Sequence, residues 1–360
     1  MKVCIIGDGL VSLVLAKALV NEGLSVDIFY SKKIQNYNES RTLGISKSNV
    51  EYFNNKIMNI DKILWNIKKI KIFSEDLKKN EILNFSNNKE ELFSILQNYK
   101  LYSLLFNDLK KKKSFKYKKN FKYNNLVKKK YKLIINCDPS HQISKKFFFG
   151  KFEKNYNSFA YTTIIDHENF FLNDTAIQVF TNKGPIAFLP ISNVKTSIVY
   201  SLRNEKNEKD VNLINLIDKF NPNYKINSVG KISKFELKSS NLRKYYKENI
   251  LAFGDMLHKL HPLAGQGFNM SLRDIRELVQ LIDHKLKLGL ELDSSICIDF
   301  EKKTKSKNYI FSTGIDLIYE FFRLDNKMKN KLLTNSVNFL GKNKTINNFF
   351  KKVADSGLQI

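Results

Sequence analysis

Val3 to Ile6 form a short apolar run that ends at Gly7, and a run of this length between polar ends predicts a buried strand. Over 10–22 the pattern becomes helical, with Leu10, Leu13, Val14, Ala18 and Leu19 on one face and Gly23 as the stop. Residues 25–30 return to a strand pattern, so the chain opens as strand, helix, strand. Residues 31–40 are polar and predict a loop. Short strands are predicted over 67–73 and 81–85, and a helix over 89–98. Lysine dominates 110–130, with Phe and Tyr interleaved, which predicts a solvated hairpin or loop. Residues 131–137 predict another buried strand. From 157 to 202 and from 225 to 238, strand-like runs alternate with turns at 182–185 and 192–194, the pattern of a mostly antiparallel sheet. A strand over 249–253 precedes a long amphipathic helix over 268–288. The chain from 296 onward reads as helical, with breaks near Gly314, Gly341 and Gly357.

A length of 360 residues allows two domains, or one with a large insertion, and 42% hydrophobic residues are enough for a substantial core. No stretch approaches the ~20 apolar residues of a membrane span. The first apolar run is too short for a signal peptide, so a cytoplasmic location is expected. The formal charge of +26 changes the picture less than its size implies. Only six of the 61 basic residues are Arg, and the excess Lys comes with heavy use of Asn, Ile and Phe, all with A/T-rich codons. Base readers and phosphate clamps prefer Arg, so no nucleic-acid partner is expected. Diffuse positive charge does suit anionic lipid headgroups. Cys4, Cys137 and Cys297 are far apart and have neither zinc nor redox spacing, and no metal site is expected.

Two segments carry the candidate chemistry. The first is Gly7-Asp8-Gly9-Leu10-Val11-Ser12, between the first strand and the first helix. Gly7 permits a tight turn, Gly9 lets the backbone approach a pyrophosphate, and Ser12 is small enough for close helix–strand packing. The helix N-terminus behind them offers free N–H groups and partial positive charge. The second segment, 254–269, begins Gly254-Asp255 after a strand and continues through His261-Pro262-Leu263-Ala264-Gly265-Gln266-Gly267-Phe268-Asn269 into the long helix.

The second segment resembles the second FAD motif of the class A flavoprotein monooxygenases, within them the ubiquinone-biosynthesis hydroxylases. Gly184 to Pro190 is similar to that family's strand pair in the substrate domain, and Arg41-Thr42-Leu43-Gly44-Ile45 to the segment whose arginine lies along the FAD. The resemblance implies an α/β fold: a Rossmann-like FAD-binding domain with an inserted, mostly antiparallel β-sheet substrate domain and a helical C-terminal region. The expected division is 1–66, 89–150 and 241–290 for the FAD domain, 67–88 and 151–240 for the substrate domain, and 291–360 for the helical region. FAD is expected to meet Gly7, Gly9, Leu10, Ser12, Arg41, Asp138, Gly254, Asp255, Pro262, Gly265, Gln266, Gly267, Phe268 and Asn269. His258 and His261 are expected to shape the flavin loop rather than bind metal.

The activity implied is aromatic-ring hydroxylation of a lipophilic, polyprenylated phenol or quinol, with NAD(P)H as electron donor and oxygen delivered from the reduced flavin. No catalytic acid or base is assigned. Membership of a quinone-biosynthesis complex is expected, as is peripheral attachment to the inner face of the cytoplasmic membrane. The apolar helical face of 309–323 would serve either that attachment or packing on the FAD domain. Three positions depart from the family pattern. Tyr30 stands where an acidic residue normally binds the adenosine ribose, and Asp27 lies too early for that role. Cys137-Asp138-Pro139 keeps an Asp but loses the Gly after it. Lys89, Glu90 and Glu91 occupy a place where arginine is common. These departures imply a looser hold on FAD, and they keep open a flavin-poor scaffold subunit; a different FAD oxidoreductase, of the isoprenoid reductase type, is the other alternative.

Overall fold

A computed structural model describes residues 1–31, 39–75, 81–86, 91–122, 130–203, 213–261 and 266–328. In chain order, the first half holds β1 (Lys2–Ile6), α1 (Leu10–Asn21), β2 (Ser25–Tyr30), β3 (Thr42–Ser46), α2 (Lys47–Tyr52), β4 (Trp65–Ile67), β5 (Lys69–Ser74), β6 (Glu81–Ser86), β7 (Phe93–Gln97), α3 (Asn98–Lys110), β8 (Phe115–Lys119), β9 (Leu133–Asn136) and α4 (Gln142–Phe147). The second half holds β10 (Lys151–His167), β11 (Thr175–Thr181), β12 (Gly184–Pro190), β13 (Lys195–Arg203), α5 (Leu213–Phe220), β14 (Ile226–Val229), β15 (Ser233–Leu242), β16 (Tyr246–Lys247), β17 (Ile250–Ala252), β18 (His258–Lys259), α6 (Gln266–Lys287) and α7 (Ser294–Met328).

The apolar opening strand becomes the centre of a six-stranded sheet ordered β16-β17-β9-β1-β2-β8. Its inner pairs are parallel: Val3 faces Val26 on one side and Leu133 on the other. Such strands are buried on both faces, so they read as continuous apolar runs. The register brings the ends of β1, β2, β9 and β17 to one edge, where Gly7, Ser31, Cys137 and Phe253 follow. Crevices beyond the carboxyl ends of parallel strands are where α/β sheets take ligands.

The second sheet has nine strands, in the order β18-β15-β10-β13-β12-β11-β5-β6 with β14 also on β10. All its pairs are antiparallel except β11 with β5. Because side chains alternate along a strand, each face has its own cover. Val179, Ile186, Phe188, Ile198 and Tyr200 meet α5 through Leu213, Ile217 and Phe220. On the opposite face Tyr156, Ala160, Phe180 and Leu237 meet Phe311, Ile315 and Tyr319 of α7 and Met270 of α6. The apolar face expected over 309–323 is therefore spent largely on this sheet. Among the described residues no helix is long and apolar enough to cross a membrane.

Three local expectations are corrected. The predicted helix over 89–98 is strand β7 from Phe93, with α3 starting only at Asn98. β7 is the middle strand of a three-stranded sheet, β3-β7-β4, so Ser94, Ile95 and Leu96 are all buried and the alternation that would mark a strand is lost. The predicted solvated segment over 110–130 contains β8, which extends the first sheet by pairing with β2. Lysines on an edge strand block further pairing, which is why the segment looked like loop. Its part over 123–129 lies outside the described residues. The third correction is at Gly314, where α7 continues unbroken. A glycine inside a helix costs about 1 kcal/mol, which packing on the sheet offsets. Gly341 and Gly357 lie outside the described residues.

Candidate functional site

The first glycine turn is built by backbone ties. The Gly7 N–H donates to Phe29 O at 2.8 Å, and the Cys137 N–H donates to Ile6 O at 2.8 Å. Gly7 has φ +98°, and a Cβ there would come within 3.2 Å of Asp138. This position requires glycine. Gly9 is different: its φ is −66°, it caps α1 with no side-chain hydrogen bond, and a Cβ on it would meet nothing within 4 Å. Gly9 thus leaves room beside the start of α1, whose first N–H groups have no partner within the helix, as an anion site needs. Ser12 is buried against Cys137, whose thiol burial pushes up to about 12. Its small size serves the contact between α1 and the end of β9. Leu10, half-buried, packs on the core of this domain.

The second segment lies against the first. Gly254 has φ +65°, and a Cβ on it would stand 3.2 Å from Val11 Cγ1. Asp255 is exposed immediately beyond it. Pro262 and Gly265 fall outside the described residues. Gln266 begins α6, and its Oε1 is buried with no hydrogen-bond partner among the described residues. Gly267, like Gly9, has only open space where a Cβ would be.

The side chains of Phe268 and Asn269 are held by the protein itself. Phe268 is buried in the core of the first domain. Asn269 Oδ1 accepts from the Ser46 N–H and Asn49 Nδ2, both at 2.9 Å, while its Nδ2 donates to Gly44 O at 3.0 Å. Asn269 therefore locks α6 to β3, and with it the segment that begins at Arg41. Arg41 itself is exposed, and its two neighbours reach the second sheet: Ser40 Oγ lies 3.1 Å from Thr162 Oγ1 and Thr42 Oγ1 2.9 Å from Ser197 Oγ. Arg41 thus stands where the two sheets are joined. Asp138 Oδ1 accepts from the N–H and hydroxyl of Ser140, at 2.8 and 2.7 Å, which turns the chain into α4 beside Gly7.

Asp27 is excluded from the ribose role. It is buried, and its Oδ2 takes Lys118 at 2.5 Å, Tyr131 at 2.7 Å and Lys2 at 3.0 Å. Burial alone would raise this carboxyl, but the three donors outweigh it and hold its pKa below the ordinary value. Tyr30 stacks on Tyr117, with ring centroids 4.3 Å apart. The Tyr117 hydroxyl donates to Asp8 Oδ2 at 2.6 Å. Burial raises the Asp8 pKa despite that bond. The sequence reading missed the Tyr117–Asp8 pair. Its only signal was an acid between two glycines, a position that demanded a donor from elsewhere.

The two histidines have separate settings. His258 Nε2 is 2.5 Å from Asp274 Oδ2, and Asn308 Nδ2 donates to the other carboxylate oxygen at 2.9 Å. This buried chain ties β18 to α6 and α7. His261, immediately before Pro262, lies between the rings of Tyr156 and Tyr319 at 4.8 and 4.3 Å. Both its nitrogens lack partners among the described residues, and burial lowers its pKa to about 3. Among the described residues no cluster of His, Cys, Asp and Glu could hold a metal ion.

Two glycine-bearing segments that meet at Val11 and Gly254, with open space at Gly9 before α1 and at Gly267 in the first turn of α6, fit an extended dinucleotide such as FAD. The fold is that of the FAD-dependent monooxygenases. The chain superposes on p-nitrophenol 4-monooxygenase PnpA of Pseudomonas putida with TM-score 0.78 and 11% identity, over 97% of each chain. On Klebsiella pneumoniae HpxO complexed with FAD and uric acid the TM-score is 0.75 with 11% identity, over 99% of this chain and 97% of the other. Residues 151–288 match the family profile described as FAD binding domain.

In sequence the chain resembles the ubiquinone-biosynthesis hydroxylases within that class. It is 24% identical over 233 residues to the mitochondrial ubiquinone biosynthesis monooxygenase COQ6 of Danio rerio, covering 53% of this chain and 48% of that one. It is 29% identical over 157 residues to the 3-demethoxyubiquinol 3-hydroxylase of Escherichia coli, covering 41% and 40%. The matches thus span about half the length, or less, of these relatives.

Proposed function

We propose that the chain binds FAD and hydroxylates the aromatic ring of a polyprenylated phenol or quinol on the route to ubiquinone. The observation that carries the reading is the meeting of the two glycine segments at Val11 and Gly254, with Ser40 and Thr42, on either side of Arg41, bonded to the second sheet. Bound FAD, reduced by NAD(P)H, would supply dioxygen activation. The protein would do the rest. Backbone N–H groups after Gly9 would hold the pyrophosphate, and Asp255 would accept from ribityl hydroxyls. The start of α6, whose dipole favours negative charge, would face the ring of the reduced flavin. Asn269 would keep the Arg41 strand in register with that helix.

The substrate ring would be taken between this site and the face of the second sheet that carries Thr162, Ser197 and Ser201, with water excluded by the packed sheet. A substrate with a prenyl tail resides in lipid, so the enzyme would work at a membrane surface, in company with other enzymes of quinone synthesis. A second reading, a flavin-poor scaffold, draws on one observation: Asp27 is consumed and Tyr30 replaces the usual acid. A strain lacking the gene separates the two. Under the hydroxylase reading it accumulates an under-hydroxylated prenylated phenol, and a Gly9→Val copy fails to clear it. Clearance by that copy would favour the scaffold, and unchanged quinones would sink both readings.

A further inference from the structure

At the N-terminal end of β10, the edge of α7 leaves a groove of about 280 Å³ between the helix and the second sheet, lined in part by Phe152, Lys154, Ser239, Tyr309, Asp316 and Leu317. Large apolar side chains stand open to solvent in and beside it: Leu317 is 65% exposed, Phe152 51% and Tyr309 49% in the lining, and Phe149, three residues before Phe152, 75%. These side chains belong to one surface. The Phe152 and Tyr309 rings are 6.1 Å apart, and the Arg243 guanidinium lies 4.3 Å from the centre of Phe152. The Arg243 N–H also donates to Gly150 O, beside Phe149. Lys145, Lys146 and Lys244 flank the rim in sequence, and Lys302 lies two turns before Tyr309 on the same side of α7. All four are exposed and have no acidic partner among the described residues.

The groove also leads inward. Tyr156 donates its hydroxyl to Asp316 in the groove wall, where Ser239 bonds the same carboxylate at 3.2 Å. The Tyr156 ring then touches His261, which lies within the second glycine segment. Tyr156 thus links the groove wall at Asp316 to the buried ring of His261.

A second apolar tip, Phe170-Phe171-Leu172, makes an informative contrast. It follows the far end of β10, on the order of 50 Å along the strand from Phe152. Phe171 is 84% exposed there, but the neighbouring lysines are neutralised: Lys195 pairs with Asp166 and Lys225 with Glu168. At the groove end Glu153 and Glu320 likewise pair with Lys151 and Lys154, but Lys145, Lys146, Lys244 and Lys302 remain without acidic partners among the described residues, and exposed aromatic rings beside such lysines are the chemistry of an anionic lipid interface.

We propose that the face formed by Phe149, Phe152, Tyr309 and Leu317, ringed by Lys145, Lys146, Arg243, Lys244 and Lys302, is where this chain docks on an anionic phospholipid bilayer. The inference takes its purpose from the lipid-borne substrate proposed above, but its test involves neither flavin nor turnover. The full chain is floated with vesicles of phosphatidylcholine alone and with vesicles that also contain phosphatidylglycerol, at low and high salt. The wild type floats with the anionic vesicles, and salt weakens the binding. Phe149→Ser/Phe152→Ser/Leu317→Ser abolishes flotation. Lys145→Glu/Lys146→Glu weakens it by about tenfold or more. Phe171→Ser floats as the wild type does. All these positions are exposed, and unchanged thermal melting verifies that each variant is folded. The proposal is overturned if the wild type does not float, if the triple variant floats equally well, or if Phe171→Ser is the variant that fails. It is also overturned if the wild type instead forms a concentration-dependent dimer that the triple variant abolishes. Flotation without hydroxylation would leave this inference standing and remove only the substrate reading.

Discussion

Tyr30 stacks on Tyr117, with planes 14° apart, and Tyr117 in turn donates its hydroxyl to Asp8 in the first glycine turn. An aromatic pair thus occupies the strand ends where this fold usually presents a carboxylate to the adenosine ribose. A carboxylate that accepts from ribose hydroxyls contributes roughly 1.5–3 kcal/mol per bond in a favourable site, and a neutral hydroxyl contributes less. Tyr30→Glu should therefore tighten FAD binding by about tenfold or more in a titration of apo-protein. Equal or weaker binding would make the stacked Tyr30 an adenosine contact in its own right.

Gly9 and Gly7 should respond to substitution in opposite ways. Gly9 has an ordinary negative φ and open space at its Cβ position, so Gly9→Val should fold and melt like the wild type while it loses bound flavin. Gly7 has φ +98° with Asp138 at 3.2 Å, so Gly7→Val should lose stability outright, by about 1–2 kcal/mol or more. Denaturation curves and flavin absorbance on the same samples separate the effects. Full flavin occupancy in Gly9→Val would show that the first turn is not the pyrophosphate site.

The His258–Asp274–Asn308 chain is buried and joins β18, α6 and α7. Asp274→Ala leaves His258 and Asn308 without their acceptor, so a loss of about 3 kcal/mol is expected. The exposed ion pair Asp283–Lys287 on the same helix serves as control, and Asp283→Ala should leave the melting temperature unchanged. A melting temperature for Asp274→Ala within a degree or so of the wild type would refute a structural role for this chain.

His261 supplies a pH dependence with a definite sign. Its folded pKa of about 3 lies below the ordinary value of 6.5, so the unfolded chain binds this proton first. Its effect on stability is absent above the unfolded pKa and grows destabilising as pH falls from about 6.5 towards about 3. Between pH 7 and pH 5 it should remove about 2 kcal/mol. His261→Phe should remove that part of the acid sensitivity, as read from urea midpoints at the two pH values. An identical pH slope in the variant would contradict the burial of a neutral imidazole here.

Much of the frame was legible because it is written locally. Val3–Ile6, Gly7 and Gly9 announce a strand, a turn and a helix within a dozen residues, and Gly254 to Asn269 repeats that logic. What was not legible depends on distant partners. β7 looked helical because pairing on both edges buries three consecutive residues, and no local period records that. β8 looked like loop because an edge strand needs lysines to stay unpaired. That the Phe268 side chain answers to the core, and that of Asn269 to Gly44, Ser46 and Asn49, could not be read from the motif that holds them. Asp27 could not be discounted until Lys2, Lys118 and Tyr131 were seen around it.

The central claim is oxygen transfer from dioxygen to an aromatic ring by FAD held between the two glycine turns. The most direct test supplies the purified, FAD-loaded chain with NAD(P)H, a prenylated phenol or quinol and oxygen-18 dioxygen, then measures the product by mass spectrometry. The account predicts one heavy oxygen atom in a new ring hydroxyl and no such product from the Gly9→Val variant. A hydroxyl oxygen derived from water, a product formed equally well without dioxygen, or equal product from Gly9→Val would contradict it.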